Sequence, residues 1–219
     1  MFDSFLTDAV AYLPILLQGA LTTIYITVTA LVIATVLGLF WALLRVSGIA
    51  PLAHASRVLT NVIRGIPIIV VLFYMYFVLP EIGISLTAFQ AGSLGLGIAY
   101  SSYMAEVFRA GIDAVDVGQF EAAQSIGMSR AKLMRRVILP QALRMALPPY
   151  GNNVVMMLKD SSQTAVITVV ELSMQSKLIA AATFQSSTVF TLVALMYLAM
   201  SLPMMYGIGR LEKRMGNQK

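Results

Sequence analysis

The sequence predicts an all-α integral membrane protein with five membrane-spanning helices, the N-terminus outside and the C-terminus in the cytoplasm. Composition is the first reason. Of 219 residues, 58% are hydrophobic and 11% charged, and the mean hydropathy is +0.82, whereas a water-soluble domain is about a quarter charged. Spacing is the second: no Asp, Glu, Lys or Arg lies between Asp8 and Arg45, Arg64 and Glu81, Glu81 and Glu106, Arg144 and Lys159, or Lys177 and Arg210. The third is that one orientation gathers nearly all Lys and Arg on one side. A soluble enzyme, a nucleic-acid binder and a disordered tail are excluded as readings of the whole chain.

Crossing about 30 Å of hydrocarbon takes about 20 helical residues. Residues 1–18 place Phe2, Leu6, Val10, Leu13 and Leu17 on one helical face. That face predicts an external interfacial helix, bent at Pro14, with a plain extension of the first span as the competing reading. Asp3 and Asp8 stand where a signal peptide would be basic, so no cleavage is expected. Residues 19–214 form one transmembrane domain. Its spans are expected at 20–44, 58–80, 86–108, 146–170 and 187–209, with residues 215–219 as a cytosolic tail. The second span reaches length only by starting near Val58, and the fourth only by running past Lys159 and Asp160.

With the N-terminus outside, Arg45, Arg57, Arg64, Arg109, Arg130, Lys132, Arg135, Arg136, Arg144, Arg210, Lys213, Arg214 and Lys219 fall inside. Only Lys177 is left in an outer connection, and Lys159 within a span. The net charge of +5 then suits anionic inner-leaflet lipid, and nucleic acid is not needed as a partner. Chemistry is otherwise sparse. There is no Cys and one His, His54, which excludes thiolate and two-His zinc sites. No G-x-x-x-x-G-K-[ST] loop occurs, so no nucleotide phosphate is cradled by this chain. Neither a catalytic set nor a metal or cofactor site is expected.

The polar residues concentrate in the inner connection, 111–145. Residues 119–126 favour a helix, Gly127 suits a left-handed ending, and Ser129 can cap a second helix that Pro140 stops. Leu133, Met134, Val137 and Ile138 form its apolar stripe, with Arg130, Lys132, Arg135 and Arg136 solvated. Ala122 and Ala123 beside Glu121 offer a small-residue surface for a docking protein.

Glu121-Ala122-Ala123, three residues, Gly127, nine residues and Val137-Ile138-Leu139-Pro140 resembles the EAA signature of ABC importer permeases, which has Ile where Val137 stands. Further segments extend the likeness from about Gly19 to Arg214: Arg64-Gly65-Ile66-Pro67, Ala105-Glu106 to Arg109, Gly118-Gln119, Leu139 to Arg144, Leu147-Pro148-Pro149, Asn152, Lys159 to Ser162 and Glu171-Leu172. They resemble the polar amino acid branch, whose substrates include histidine, glutamine, glutamate, arginine and opines. The resemblance implies a type I permease fold in a bacterial cytoplasmic membrane and a second permease subunit, identical or homologous. It also implies two cytosolic ATPases holding ATP and Mg, and an extracytoplasmic solute-binding protein. It assigns ATPase coupling to Gly118, Gln119, Glu121, Ala122, Ala123, Gly127, Leu133 and Pro140. Two departures stand out: Val71 where Gln is common, and Ser161-Ser162-Gln163 where Thr-Ser-Leu is common.

An ionised group within a span is costly and is usually paired or functional. Glu106 and Arg109 are spaced for a local ion pair. Asp160 sits in a polar break of the fourth span, and with Ser161, Gln163, Tyr100 and Ser101 it could meet a zwitterionic substrate; pairing with Lys159 is the structural alternative. The rival function is a self-sufficient secondary transporter or channel relaying ions through Glu106, Arg109 and Asp160. An odd number of spans, no visible repeat and the elaborate inner loop weigh against it.

Overall fold

The computed structural model describes residues 2–216. The longest charge-free stretch becomes the longest helix, α1 (Phe2–Val46), whose 45 residues rise about 68 Å. Pro14 lies inside it without interrupting it, and residues 2–18 continue the helix. Packing explains this. Leu16 and Ala20 join Leu172, Ile179, Val189 and Val193 in a buried cluster, and the Tyr12 hydroxyl donates to Gln185 Oε1 at 2.8 Å. The face with Val10, Leu13 and Leu17 is exposed. The side chains of Phe2 and Leu6, and tail residues 217–219 with Lys219, lie outside the described residues.

The stretch expected as one span over 58–80 is two elements. Helix α2 (Ala50–Gly65) ends at Ile66, which is extended at φ −97°, ψ 128°; Pro67 disfavours helix at the residue before it. Helix α3 (Ile68–Phe73) follows and runs on through a π-turn, Tyr74–Val78, and a 3₁₀ turn, Leu79–Ile82. The two segments diverge by 96°, so the straight part of this span is Ile68–Ile82.

Helix α4 (Ala88–Asp113) opens with a reciprocal cap between Thr87 and Gln90 and is buried over most of residues 91–105. Its main neighbour is α1. A Cβ added at Gly38 would fall 2.5 Å from Met104 Cβ, and one at Gly97 would fall 2.6 Å from Ile33 Cγ2. Small residues thus let the two backbones approach more closely than side chains would allow. The core around them holds Ile26, Ala30, Leu72, Leu96, Tyr100, Met104 and Met157.

Helices α5 (Val117–Ser125) and α6 (Arg130–Leu133) are followed by a π-turn, Met134–Ile138, and by α7 (Leu139–Asp160). The stop expected at Pro140 does not occur: the helical path is continuous over Arg130–Ile167. Pro140 stands in the first turn of α7, and the π-turn before it absorbs the missing N–H. A 3₁₀ turn, Ser161–Ile167, ends this path. Helices α8 (Leu172–Thr183) and α9 (Ser186–Gly216) complete the chain, so the outer connection expected over 171–187 is largely helical.

Among the described residues two helices, Thr7–Val46 and Ser186–Arg214, are long and apolar enough alone to cross a membrane, and two bent pairs bring the number to at most four. Helix α4 is not among them. Its Gly, Ser and Ala face neighbouring helices rather than lipid, so hydropathy is a poor guide to it.

Candidate coupling surface and translocation site

The α5–α6 unit is built by its termini. Asp116 Oδ1 accepts from Gly118 N at 2.6 Å at the start of α5. At its end Gly127 is left-handed, φ 74°. Gly127 N donates to Gln124 O at 2.9 Å and Met128 N donates to Ala123 O at 3.1 Å, the paired bonds of a Schellman ending. Ser129 occupies the N-cap position of α6, but its side chain makes no cap hydrogen bond.

Underneath, Ala123, Leu133 and Ile138 pack with Ile112, Val115 and Ala142. Of the residues expected to contact an ATPase, Gly118, Gln119, Glu121, Ala122, Gly127 and Pro140 are exposed, whereas Ala123 and Leu133 are buried. Those two hold the helices together and offer no surface. Val117 and Ile126, at opposite ends of α5, are exposed at 67% and 77%, apolar surface that the small-residue reading missed; their position at the ends of α5 was the available signal.

Glu106 is the hub of a larger cluster than a local pair. Its carboxylate accepts from Arg45 Nη1 at 2.6 Å and from Arg109 Nε at 3.0 Å, with Arg64 Nη2 at 3.7 Å. Arg109 also pairs with Asp113, and Arg45 Nη2 donates to Thr60 Oγ1 at 2.9 Å. The cluster ties α1, α2 and α4 together at the end where α5 and α6 project. Only the Glu106–Arg109 spacing was visible beforehand, because Arg45 and Arg64 arrive from distant elements.

At the end of α7, Tyr100 OH donates to Asp160 Oδ2 at 2.7 Å. Tyr100 is buried and Asp160 half-buried. Among the described residues no cation pairs with Asp160, and Lys159 is exposed. Ser161 and Ser101 are buried and donate within their own helices, to Leu158 O and Ile98 O, both at 2.7 Å. Gln163 is half-buried, and Val71 is buried. Tyr100 and Asp160 are therefore joined, while the two serines have committed their hydroxyl protons elsewhere.

Glu171 was quoted above only as part of a motif. It is fully buried, accepting from Ser173 N at 2.9 Å, Met174 N at 2.8 Å, Tyr197 OH at 2.9 Å and Thr23 Oγ1 at 3.4 Å. A carboxylate followed by a helix start was the signal for an N-cap; Thr23 and Tyr197 could not be paired with it from sequence.

A bundle of apolar helices carrying an exposed two-helix projection defines a helical membrane protein. The family model described as "Binding-protein-dependent transport system inner membrane component" matches residues 34–217, and the chain belongs to that family. It is 41% identical over 197 residues, 90% of this chain and 85% of the relative, to "Probable amino-acid ABC transporter permease protein y4tG" of Sinorhizobium fredii. It is 36% identical over 205 residues to "Glutamine transport system permease protein GlnP" of Escherichia coli, covering 93% and 94% of the two chains. A solved structure described as "Crystal structure of an amino acid ABC transporter with histidines" superposes with a TM-score of 0.90 at 38% identity, over 95% of this chain and 97% of that one. An inward-facing MetNI methionine ABC transporter shares the fold, with a TM-score of 0.80 at 18% identity over 94% and 98%.

Proposed function

We propose that this chain is a membrane-spanning subunit of an ATP-driven importer, and that it translocates polar amino acids or related small zwitterions delivered by an extracytoplasmic solute-binding protein. Its relatives are amino-acid and glutamine permeases, which favours this reading over a self-sufficient ion-coupled carrier. In this proposal the chain crosses a bacterial cytoplasmic membrane five times, with α4 as a span shielded by its neighbours, its N-terminus outside and its C-terminus inside. A second permease subunit completes the path, which opens to alternate sides by rocking of one subunit against the other. Two cytosolic ATPases hold ATP and Mg, and the chain itself catalyses no reaction. The exposed part of the α5–α6 unit, from Gly118 to Gly127, receives the ATPase, while Ala123 and Leu133 support it from beneath.

The observation that carries substrate contact is the Asp160 carboxylate, held by Tyr100 and balanced by no cation among the described residues. Such a group in a span needs a polar partner, and an amino acid's ammonium supplies one. Asp160→Asn removes the charge yet keeps an oxygen that can accept from Tyr100. The variant should assemble and hydrolyse ATP at the basal rate while transport falls, most for cationic and zwitterionic solutes. Unchanged transport in a well-expressed variant, or loss of assembly, would assign Asp160 a structural role instead.

A further inference from the structure

Outside those two sites, the densest charge lies in an open cleft of about 390 Å³ lined by Arg45, Arg57, Asn61, Arg64, Glu106 and Arg109. Of its four guanidinium groups, those of Arg45, Arg64 and Arg109 pair with Glu106 and that of Arg109 also with Asp113, while that of Arg57 pairs with neither. Their hydrogen-bonding capacity is not used up internally. The Nε atoms of Arg45 and Arg64 are buried without a partner, although the Arg45 side chain is only 9% exposed. The Arg57 and Asn61 side chains are exposed at the rim and bond no described residue. The unpaired donors that the cleft presents are those of Arg57 and Asn61, while Arg45 and Arg64 add positive charge behind them, and an under-neutralised guanidinium cluster matches a phosphate.

Helix α2 forms one wall, and its two faces differ. Ser56 and Thr60 are buried against α1, with Ser56 Oγ donating to Trp41 O at 2.8 Å. The opposite face leaves Val58 and Val62 exposed, at 45% and 55%. Arg57, Asn61 and Arg64 lie along the edge between, over the cleft. The helix turns 96° from the segment that follows it, so it lies across the end of the bundle rather than along it. An apolar face with a basic edge, laid crosswise, is the form of a helix resting in a membrane interface.

We infer that this cleft binds the headgroup phosphate of an anionic phospholipid, whose acyl chains cover the exposed apolar face of α2. A free anion would answer the arginines but leave Val58 and Val62 bare. A neutral lipid would cover the apolar face but leave the spare positive charge unanswered. An anionic amphiphile answers both, and basic pockets between membrane helices bind such headgroups. That the lipid belongs to the inner leaflet rests on the proposed function, because the cleft lies at the same end as α5 and α6.

The test uses the complete transporter, reconstituted in nanodiscs of mixed phosphatidylglycerol and phosphatidylcholine. Retained lipid is counted by native mass spectrometry after extraction. Wild type should retain phosphatidylglycerol in preference to phosphatidylcholine. Arg57 supports no internal bond, so Arg57→Gln should keep the fold and weaken retention about five-fold, with Arg57→Glu weaker by a similar factor again. Millimolar inorganic phosphate should not displace the lipid. Equal retention of the two lipids, or unchanged retention in both variants, would overturn the inference. So would displacement by phosphate alone, which marks a site for a soluble anion. The chain has no cysteine, so Arg57→Cys can be probed singly with a charged maleimide. Protection in the assembled transporter without retained phosphatidylglycerol would mean that a protein subunit covers the cleft, and would also overturn the inference. Substrate-stimulated ATP hydrolysis in the same discs reports on the importer reading separately: its absence with lipid selectivity intact would count against that reading alone.

Discussion

Gly127 allows the role of the α5–α6 turn to be tested by backbone chemistry alone. Its φ is 74°, and a Cβ built there meets nothing within 4 Å. The whole penalty of a substitution is therefore the left-handed backbone, with no steric contribution from neighbours. For an ordinary L-residue that penalty is about 1–2 kcal/mol, and a β-branched residue belongs at its upper end or beyond. At about 2 kcal/mol the population of the native turn falls roughly thirty-fold relative to alternatives, by the conversion of about 1.4 kcal/mol per factor of ten. Asn visits this region with little strain. The buried cluster of Ala123, Leu133 and Ile138 is left in place, so the region stays folded while the angle between α5 and α6 loosens. With reconstituted transporter, binding protein and substrate, stimulated ATP hydrolysis should rank Gly127 and Gly127→Asn above Gly127→Ala, and Gly127→Ala above Gly127→Val. The Val variant should lose about tenfold or more with normal membrane insertion. Wild-type stimulation by Gly127→Val would refute the reasoning. An Asn variant as impaired as the Val variant would do so too, because then added bulk at the surface, and not backbone conformation, would be the cause.

Two further outcomes follow from packing and capping. Gly38→Ala would place its Cβ 2.5 Å from Met104 Cβ and 3.1 Å from Ser101 O, and should cost about 1–3 kcal/mol, read as a lowered thermal midpoint in detergent. Gly207→Ala on α9, which meets nothing within 4 Å, is the control and should be neutral or slightly stabilising. Glu171→Ala leaves the Ser173 and Met174 amides and the Tyr197 hydroxyl without their acceptor, and should cost about 2–4 kcal/mol; Glu171→Gln, which keeps one carbonyl oxygen, should cost less. Equal thermal midpoints for Glu171→Ala and wild type would show that water replaces the lost acceptor.

The features legible in the sequence are those written into short stretches of chain. Gly127 was identified as a left-handed ending from its place between two helix formers, and the φ of 74° agrees. The apolar stripe of Leu133, Met134, Val137 and Ile138 packs inward as its spacing indicated. Charge-free length located α1 and α9 because both leave much of an apolar surface exposed. The same measure misread residues 58–80: counting apolar residues passes over Gly65-Ile66-Pro67, where the chain turns. It also treated Pro140 as an end, since a π-turn that tolerates proline has no simple residue signature. The Tyr100–Asp160 contact could be anticipated as a grouping, but the convergence of Arg45 and Arg64 on Glu106 could not. Those partners are 61 and 42 positions from it in the chain, far beyond any local spacing rule.

The unbroken course of α1 through Pro14 has a mechanical consequence. Near one end the helix is fastened to α8 and α9, through Leu16, Tyr12 and the Thr23–Glu171 contact. At the other it is fastened to α4 through Arg45 and to α6, where Arg130 Nη2 donates to Val46 O at 3.4 Å. Between Tyr12 and Val46 the helix is clamped over about 51 Å with no break in its assigned course. In the proposed function, displacement of the α5–α6 projection would reach the opposite mouth of the bundle as a tilt of one strut, without relay through a succession of loosely coupled side chains.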